Sequence, residues 1–248
     1  MPATTERLTM SLRTLGPLLA PADPRSGAPG ASSFFPHERR LIRRLRTPLA
    51  VQRFLNRLSY NTEPPPEGAT LRSFRGVLRH DSAHCLEAAL FAAVVLEQHG
   101  YAPLVLSFES IDELDHVIYV YQSRGRWGSV ARSRDPGLHG RRPIFATPRA
   151  LALSYVDPYV DLTGRVRAYA VVDLRMLGRY DWRLSDGNVW KVERMLLDYP
   201  HRPIRTSDRR FRWLRARYCR FKAQHPDRKP LYYRGRERWT EIPKTFRD

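Results

Sequence analysis

Residues 82–99 of the chain read SAHCLEAALFAAVVLEQH. The interior of this stretch is apolar except for Glu87, so a helix formed here has almost no polar face. A helix without a polar face lies at the centre of a domain. Gly100 is suited to end it, because glycine readily takes the left-handed conformation that follows many helices. We therefore predict a buried helix over this stretch, with Asp81 or Ser82 as its N-cap.

Four short apolar runs after this helix have the composition of β-strands. Two of them flank the sequence Ser123-Arg124-Gly125, which predicts a tight hairpin turn. If Arg124 and Gly125 form a two-residue turn, Ser123 faces Arg126 and the numbers of all cross-strand partners add up to 249. The four predicted strands cover residues 104–108, 117–121, 127–131 and 169–174.

Helical patterns flank the strands on both sides. Apolar residues recur at spacings of three and four from His37 onwards, and Pro48 divides that stretch into two helices. Further helices are predicted over residues 148–155 and 188–199. Helices combined with an antiparallel set of strands indicate the α+β class, with the buried helix packed on the sheet and the other helices flanking it.

The chain divides by composition into three parts. Residues 1–35 are rich in proline, glycine and serine and predict a flexible N-terminal arm. Residues 36–200 carry the helical and strand patterns and form the predicted domain. Residues 201–248 contain 16 Lys and Arg against five Asp and Glu, with aromatic residues interleaved, and predict a basic C-terminal extension.

Composition excludes several classes of protein. The 248 residues, 42% of them hydrophobic, support a core without disulfides. Two cysteines are too few for a disulfide framework or a cysteine-rich zinc module. No run approaches the roughly 18 apolar residues of a membrane span. Arg13 and Pro17 interrupt the apolar N-terminus, which is unlike a secretory signal, so we expect a cytoplasmic protein without a transmembrane segment.

The net charge of +18 arises from 43 Lys and Arg against 25 Asp and Glu. A field of this sign attracts nucleic acid, anionic lipid or an acidic protein, although solvated arginines without a partner give the same charge. The C-terminal extension is the predicted polyanion site, because arginines neutralise phosphates and aromatic rings stack on bases. An amphipathic helix packed on the domain and docking on a membrane surface are the alternatives for this stretch. The candidate polyanion-binding residues are Arg209, Arg210, Arg212, Arg215, Arg217 and Arg220.

Cys85 lies in the first turn of the predicted buried helix. The positive end of a helix dipole stabilises a thiolate there, and the thiolate is the nucleophilic form of cysteine. His116 opens a predicted strand and supplies the imidazole of a thiol–imidazole pair. The hairpin register places Ser133 opposite His116, and a slip of two residues reaches Asp135. Ser133 and Asp135 are therefore candidates for the group that orients the imidazole.

This order of a helix-start cysteine, a strand-start histidine and a tryptophan-bearing strand resembles the transglutaminase-like superfamily, which shares the papain-like cysteine-enzyme fold. The likeness is to small bacterial transglutaminase-like proteins of unassigned activity and covers roughly residues 45 to 200. The matching segments are Tyr60-Asn61, His84-Cys85-Leu86-Glu87-Ala88-Ala89, His99-Gly100, Asp115-His116-Val117, Trp127-Gly128 and Leu153-Ser154-Tyr155.

The resemblance implies Cys85 as nucleophile and His116 as base, in a papain-like core. The aspartate of the family pattern falls at Ala131 in this sequence, so the third residue is left as Ser133, Asp135 or none. The backbone N–H of Cys85 is one oxyanion donor. Candidates for a second oxyanion donor are His80, His84 and Asn61.

Two further interpretations concern the same residues. His80, His84 and Cys85 have the types of metal ligands, but a helix cap between the two histidines removes their common face, so no metal site is predicted. Trp127 is either a wall of the site or a core aromatic.

The function expected from these residues is thiol acyl transfer on an amide or ester of a peptide or protein, without a cofactor. Water as acceptor gives a peptidase or amidohydrolase, and an amine gives a transglutaminase. The alternative is a catalytically silent domain of the same fold that binds nucleic acid or another acidic partner through its basic C-terminus. The two hypotheses differ in the reactivity expected of Cys85.

Overall fold

The structure is a computed structural model and describes residues 27–63, 68–112, 115–133 and 135–226. This part of the chain forms seven α-helices and a six-stranded sheet, which confirms the α+β class. The helices are α1 (Pro36–Arg44), α2 (Pro48–Arg57), α3 (Phe74–His80), α4 (Cys85–Glu97), α5 (Pro148–Tyr159), α6 (Trp190–Asp198) and α7 (Asp208–Gln224). The strands are β1 (Leu104–Ser110), β2 (His116–Ser123), β3 (Arg126–Val130), β4 (Arg141–Phe145), β5 (Val166–Asp173) and β6 (Arg202–Pro203).

The sheet is antiparallel throughout, in the order β4-β3-β2-β1-β5-β6. Tyr119 pairs with Val130 and Ser123 with Arg126, so the predicted register of the β2–β3 hairpin is confirmed. Its two central residues both have positive φ, 49° at Arg124 and 72° at Gly125. Turns of this kind match the twist of the strands they join, which fixes the pairing locally.

Two apolar clusters cover the two faces of the sheet. Alternate strand residues point to opposite faces, so Val105 belongs to one cluster and Leu106 to the other. The first cluster contains α4, whose apolar residues are buried from Leu86 to Leu96. The second contains α5. The cysteine-bearing helix therefore packs on the sheet as predicted.

Helix α4 begins at Cys85, three residues later than predicted. Asp81 takes the left-handed conformation, with φ 48°, and ends α3 rather than capping α4. Ser82 instead forms a short parallel bridge with Ser59. The predicted N-caps are therefore wrong, and Cys85 becomes the first residue of the helix.

Helix α3 and strand β4 were not predicted. Helix α3 is seven residues long, with a glycine in its interior. Strand β4 reads RRPIF and lies at the edge of the sheet, where proline and charged residues are tolerated. Neither segment shows a clear helical or alternating pattern in the sequence.

The predicted arm and the predicted extension are described only in part. Phe34, in the arm, is buried in the core beside Phe74. Strand β6, in the extension, pairs with β5 and so belongs to the sheet. The parts of these two segments at residues 1–26 and 227–248 lie outside the described residues. Among the helices that are described, none is long and apolar enough to cross a membrane.

Candidate active site

Cys85 and the residue before it open helix α4. His84 is the N-cap, and its Nδ1 accepts the backbone N–H of Leu86 at 3.2 Å. Glu87 completes a capping box by accepting the backbone N–H of His84 at 3.0 Å. The sulfur of Cys85 therefore lies at the positive end of the α4 dipole, which favours a negative charge.

His116 is buried at the first position of β2. Its Nε2 lies 3.0 Å from the backbone carbonyl of Leu138. A carbonyl only accepts hydrogen bonds, so Nε2 carries a hydrogen and donates it. Nδ1 is then the ring atom left to interact with Cys85, whose thiol pKa His116 lowers. The rings of Phe108 and Tyr155 pack around the imidazole, each with its centroid 6.1 Å away.

The thiol of Cys85 has a strongly depressed pKa. Burial by itself raises this pKa. The hydrogen bonds from His116 and His84 and the positive charges of both imidazoles lower it, and together they outweigh the effect of burial. The net result is a pKa well below the usual value, while the residue stays partly exposed. Low pKa and access together are the properties of a reactive cysteine.

His84 is the second histidine that interacts with the Cys85 sulfur. Its Nε2 lies 3.0 Å from the carbonyl of Thr70 and donates to it. Burial disfavours the imidazolium form of His84, whereas the Cys85 sulfur, the Glu87 carboxylate and the Thr70 carbonyl favour it, and together they raise its pKa to about 9. In that form Nδ1 carries a hydrogen and cannot accept the N–H of Leu86, so the cap belongs to the neutral form of His84 and the interaction with the Cys85 sulfur to the charged form.

The fully buried carboxylate of Glu87 accepts hydrogen bonds that hold the start of α4 in place. Oε1 of Glu87 accepts the hydroxyl of Thr70 at 3.0 Å and the backbone N–H of Arg72 at 2.9 Å. Oε2 accepts the backbone N–H of His84 and the amide of Asn61 at 3.1 Å. This network ties the segment before α3 to the first turn of α4.

The predicted oxyanion donors fall in three different places. Asn61 donates its amide to Thr70 at 2.8 Å and to Glu87, so it serves the buried network. His84 caps the helix, as described above. His80 lies exposed at the end of α3. The backbone N–H of Cys85 remains as the donor supported by geometry, because the first N–H of a helix has no partner within it.

The structure assigns Ser133 and Asp135 to a turn beside the site. The hydroxyl of Ser133 accepts the backbone N–H of Asp135 at 3.2 Å, and Asp135 accepts that of Gly137 at 2.8 Å. Both residues line the cleft, but the group that accepts the Nε2–H of His116 is the Leu138 carbonyl. Sequence reasoning missed that carbonyl, because a main-chain group carries no residue signature.

Trp127 packs against the apolar cluster that contains α5 and pairs across the sheet with Gln122 and Phe145. It therefore behaves as a core aromatic.

The cysteine opens into a cleft of about 1760 Å³. Its walls come from the first turn of α4, the start of β2, the loop before β4, and helices α6 and α7. Small-molecule pockets usually measure about 300–1,000 Å³, so this cleft has room for a segment of peptide. Helix α7 contributes Tyr218 and Lys222, so part of the predicted extension forms a wall of the site.

The arginines of α7 are divided between packing and solvent. Arg210 forms an ion pair with Asp157 of α5, and Arg215 donates to the carbonyl of Leu162 at 2.7 Å. Arg217 lies over the indole of Trp213, 5.0 Å from the ring centroid. The side chains that face solvent on this helix include Arg209, Arg212 and Arg220. The described ranges contain no group of three His, Cys, Asp or Glu side chains placed to hold a metal ion.

Comparison of the sequence with models of known protein families finds no match, and comparison with curated proteins finds none either.

Replacing His84 with asparagine is expected to raise the pKa of the Cys85 thiol with little change in stability. Asparagine is a good N-cap and still accepts the N–H of Leu86, but it carries no positive charge. We expect alkylation of Cys85 at about pH 6 to slow roughly three- to tenfold. The rate of iodoacetamide alkylation measured in Cys219→Ser protein tests this.

His84→Ala is the matched variant, because it loses the cap as well and should cost about 1 kcal/mol of unfolding free energy. An alkylation profile of His84→Asn identical to that of the parent would show that His84 does not stabilise the thiolate.

Proposed function

We propose that this protein is a cysteine-dependent acyl-transfer enzyme with a papain-like, transglutaminase-like core. The observation that carries the proposal is that Cys85 at the start of α4 and His116 at the start of β2 line one cleft, where the imidazole lowers the pKa of the thiol. The resemblance of the segments around these two residues to the transglutaminase-like superfamily supports it. So does the packing of the cysteine-bearing helix on the antiparallel sheet that carries the histidine.

The first half of the proposed reaction forms an acyl-enzyme. The Cys85 thiolate attacks the carbonyl carbon of an amide or ester, and the electron pair of the C=O bond moves to oxygen. The backbone N–H of Cys85 stabilises that oxyanion. The intermediate collapses, the bond to the leaving group breaks, and Nδ1 of His116 gives its proton to the departing amine or alcohol. The product is a thioester on Cys85.

The second half releases the acyl group. His116 takes a proton from water or from an amine as it attacks the thioester carbonyl. Collapse of this second intermediate returns the sulfur as thiolate and leaves the proton on His116. Water gives hydrolysis and an amine gives transamidation. The size of the cleft favours a peptide or protein as the acyl substrate.

The acyl-thioester is the species to look for. Cys219→Ser protein is incubated with a set of peptide aryl esters, quenched in acid and analysed by intact-mass and peptide mass spectrometry. We expect one acyl group on the peptide that contains Cys85, removed by hydroxylamine. Adding a primary amine before the quench separates the two acceptors, because a transamidase yields the amide of the amine and a hydrolase yields the free acid.

Cys85→Ala protein is the control and should carry no acyl group. Absence of a hydroxylamine-sensitive adduct on Cys85 across the set, or an equal adduct in Cys85→Ala, would contradict acyl-transfer chemistry.

A further inference from the structure

In the segment of residues 137–139, successive backbone carbonyls point in alternate directions. The carbonyl of Leu138 faces Nε2 of His116 at 3.0 Å. The carbonyls on either side of it, those of Gly137 and His139, face the guanidinium of Arg141 instead. Holding the two flanking carbonyls on one side directs the Leu138 carbonyl to the other side, where the imidazole lies.

Arg141 is built into the protein interior. It is 0% exposed, although arginine is almost never fully buried unless it is fully engaged. Nη2 donates to the Gly137 carbonyl at 2.7 Å, and Nε donates to the Ser154 hydroxyl at 3.3 Å. The guanidinium also lies over the ring of Tyr155, 4.0 Å from the centroid. The same tyrosine ring also packs against His116, with 6.1 Å between the ring centroids.

The beginning of the loop is fixed separately. The side-chain amide of Gln52 both donates to the carbonyl of Ala131, at 2.8 Å, and accepts its backbone N–H, at 2.9 Å. Gln52 is almost completely buried in α2. With that end clamped by Gln52, the far end of the loop is held by Arg141, the first residue of β4, and by the Tyr155 hydroxyl, which donates to the same His139 carbonyl at 3.0 Å.

We propose that Arg141 is a positioning residue for the reaction: by holding the carbonyls of residues 137 and 139, it presents the Leu138 carbonyl to Nε2 of His116 and so turns Nδ1 towards Cys85. This inference rests on the proposed function, since it concerns how the base is held. A backbone carbonyl thereby takes the orienting role that a side-chain carboxylate or amide has in other thiol–imidazole sites.

The test compares two buried arginines in Cys219→Ser protein. Arg141→Met removes the proposed clamp. Arg183→Met is the matched control, because Arg183 is 6% exposed and pairs with Glu97 at the opposite end of α4, about 18 Å along the helix from Cys85. Both variants are expected to lower the urea midpoint of unfolding, so stability alone does not distinguish them.

The pH profile of Cys85 alkylation does distinguish them. We expect Arg141→Met to slow alkylation about tenfold at about pH 6, because a poorly oriented imidazole no longer holds the thiolate. Arg183→Met should change the alkylation rate by less than about twofold.

Nitrogen-15 NMR of the histidine rings gives a second readout, since the Nε2–H form of His116 should lose its fixed hydrogen bond only in Arg141→Met. Arg141→Lys, which keeps a cation in the cavity, should recover part of the rate.

An ester in place of the amide between Leu138 and His139 keeps the test decisive if Arg141→Met does not fold. The ester weakens the Leu138 carbonyl as an acceptor and leaves Arg141 in place, so it should raise the pKa of Cys85. An unchanged profile in Arg141→Met, or in the ester variant, overturns the role of Arg141. If the unmodified protein itself shows an ordinary thiol pKa, the proposed function fails as well, so the two failures are distinguishable.

Discussion

Replacing His116 with alanine is expected to slow alkylation of Cys85 by at least about tenfold at about pH 6. The hydrogen bond from His116 is the largest of the interactions that lower the pKa of this thiol, and burial acts in the opposite direction. Without the imidazole, the pKa should rise towards or above the ordinary value of about 8.5, which removes most of the thiolate at that pH. A more basic thiolate is intrinsically more nucleophilic, which offsets part of the loss.

The measurement is the rate of iodoacetamide alkylation of Cys219→Ser protein between mildly acidic and mildly alkaline pH. The parent should stay reactive below the ordinary thiol pKa, whereas His116→Ala should become reactive only as the pH approaches it. His99→Ala is the matched control, because His99 donates to the Ile42 carbonyl at 2.9 Å at the far end of α4. Superimposable profiles of the parent and His116→Ala would show that the two residues do not form a pair.

Replacing Glu87 with glutamine is expected to lower the free energy of unfolding by about 3 kcal/mol. The two residues have nearly the same shape, so the change leaves no cavity. Each carboxylate oxygen accepts from two donors, Thr70 and Arg72 on one and Asn61 and His84 on the other. Whichever way the new amide turns, its NH₂ group faces a backbone N–H, that of Arg72 or that of His84, and leaves that donor without its acceptor.

Urea unfolding near neutral pH measures this effect. Asp186→Asn is the control, because Asp186 pairs with Arg79 in an exposed ion pair, with side chains 72% and 54% exposed. Exposed pairs contribute about 0–1 kcal/mol. If Glu87→Gln lowers the free energy of unfolding by no more than Asp186→Asn does, the buried network does not hold the start of α4.

The parts of the fold that follow local rules could be predicted. The apolar interior around Leu90 predicts a buried helix, and Arg124-Gly125 predicts a turn whose register is confirmed residue by residue. The start of α4 could not be predicted, because the chain uses His84 as its N-cap while Asp81 ends the preceding helix. Asp81 is a preferred N-cap residue type and histidine is not, and the left-handed φ with which Asp81 ends α3 has no signature in the sequence.

The candidate site also has one part that the sequence predicts and one part that it does not. The pairing of Cys85 with His116 follows from residue type and element position, so it was accessible from the sequence. The Leu138 carbonyl was not, because every residue has the same carbonyl and its direction depends on the buried side chain of Arg141. The register placed Ser133 and Asp135 near His116, but the ladder between β2 and β3 ends at Val130, and the chain beyond it turns instead.

The central claim is that Cys85 is an ionised nucleophile at neutral pH, and direct titration of its thiolate by ultraviolet absorbance in Cys219→Ser protein tests it. The account predicts that the thiolate signal persists well below about pH 8.5 and that Cys85→Ala protein lacks it. A midpoint at or above that value would contradict the account, and the alternative of a silent domain that binds an acidic partner through the arginines of α7 would then take its place.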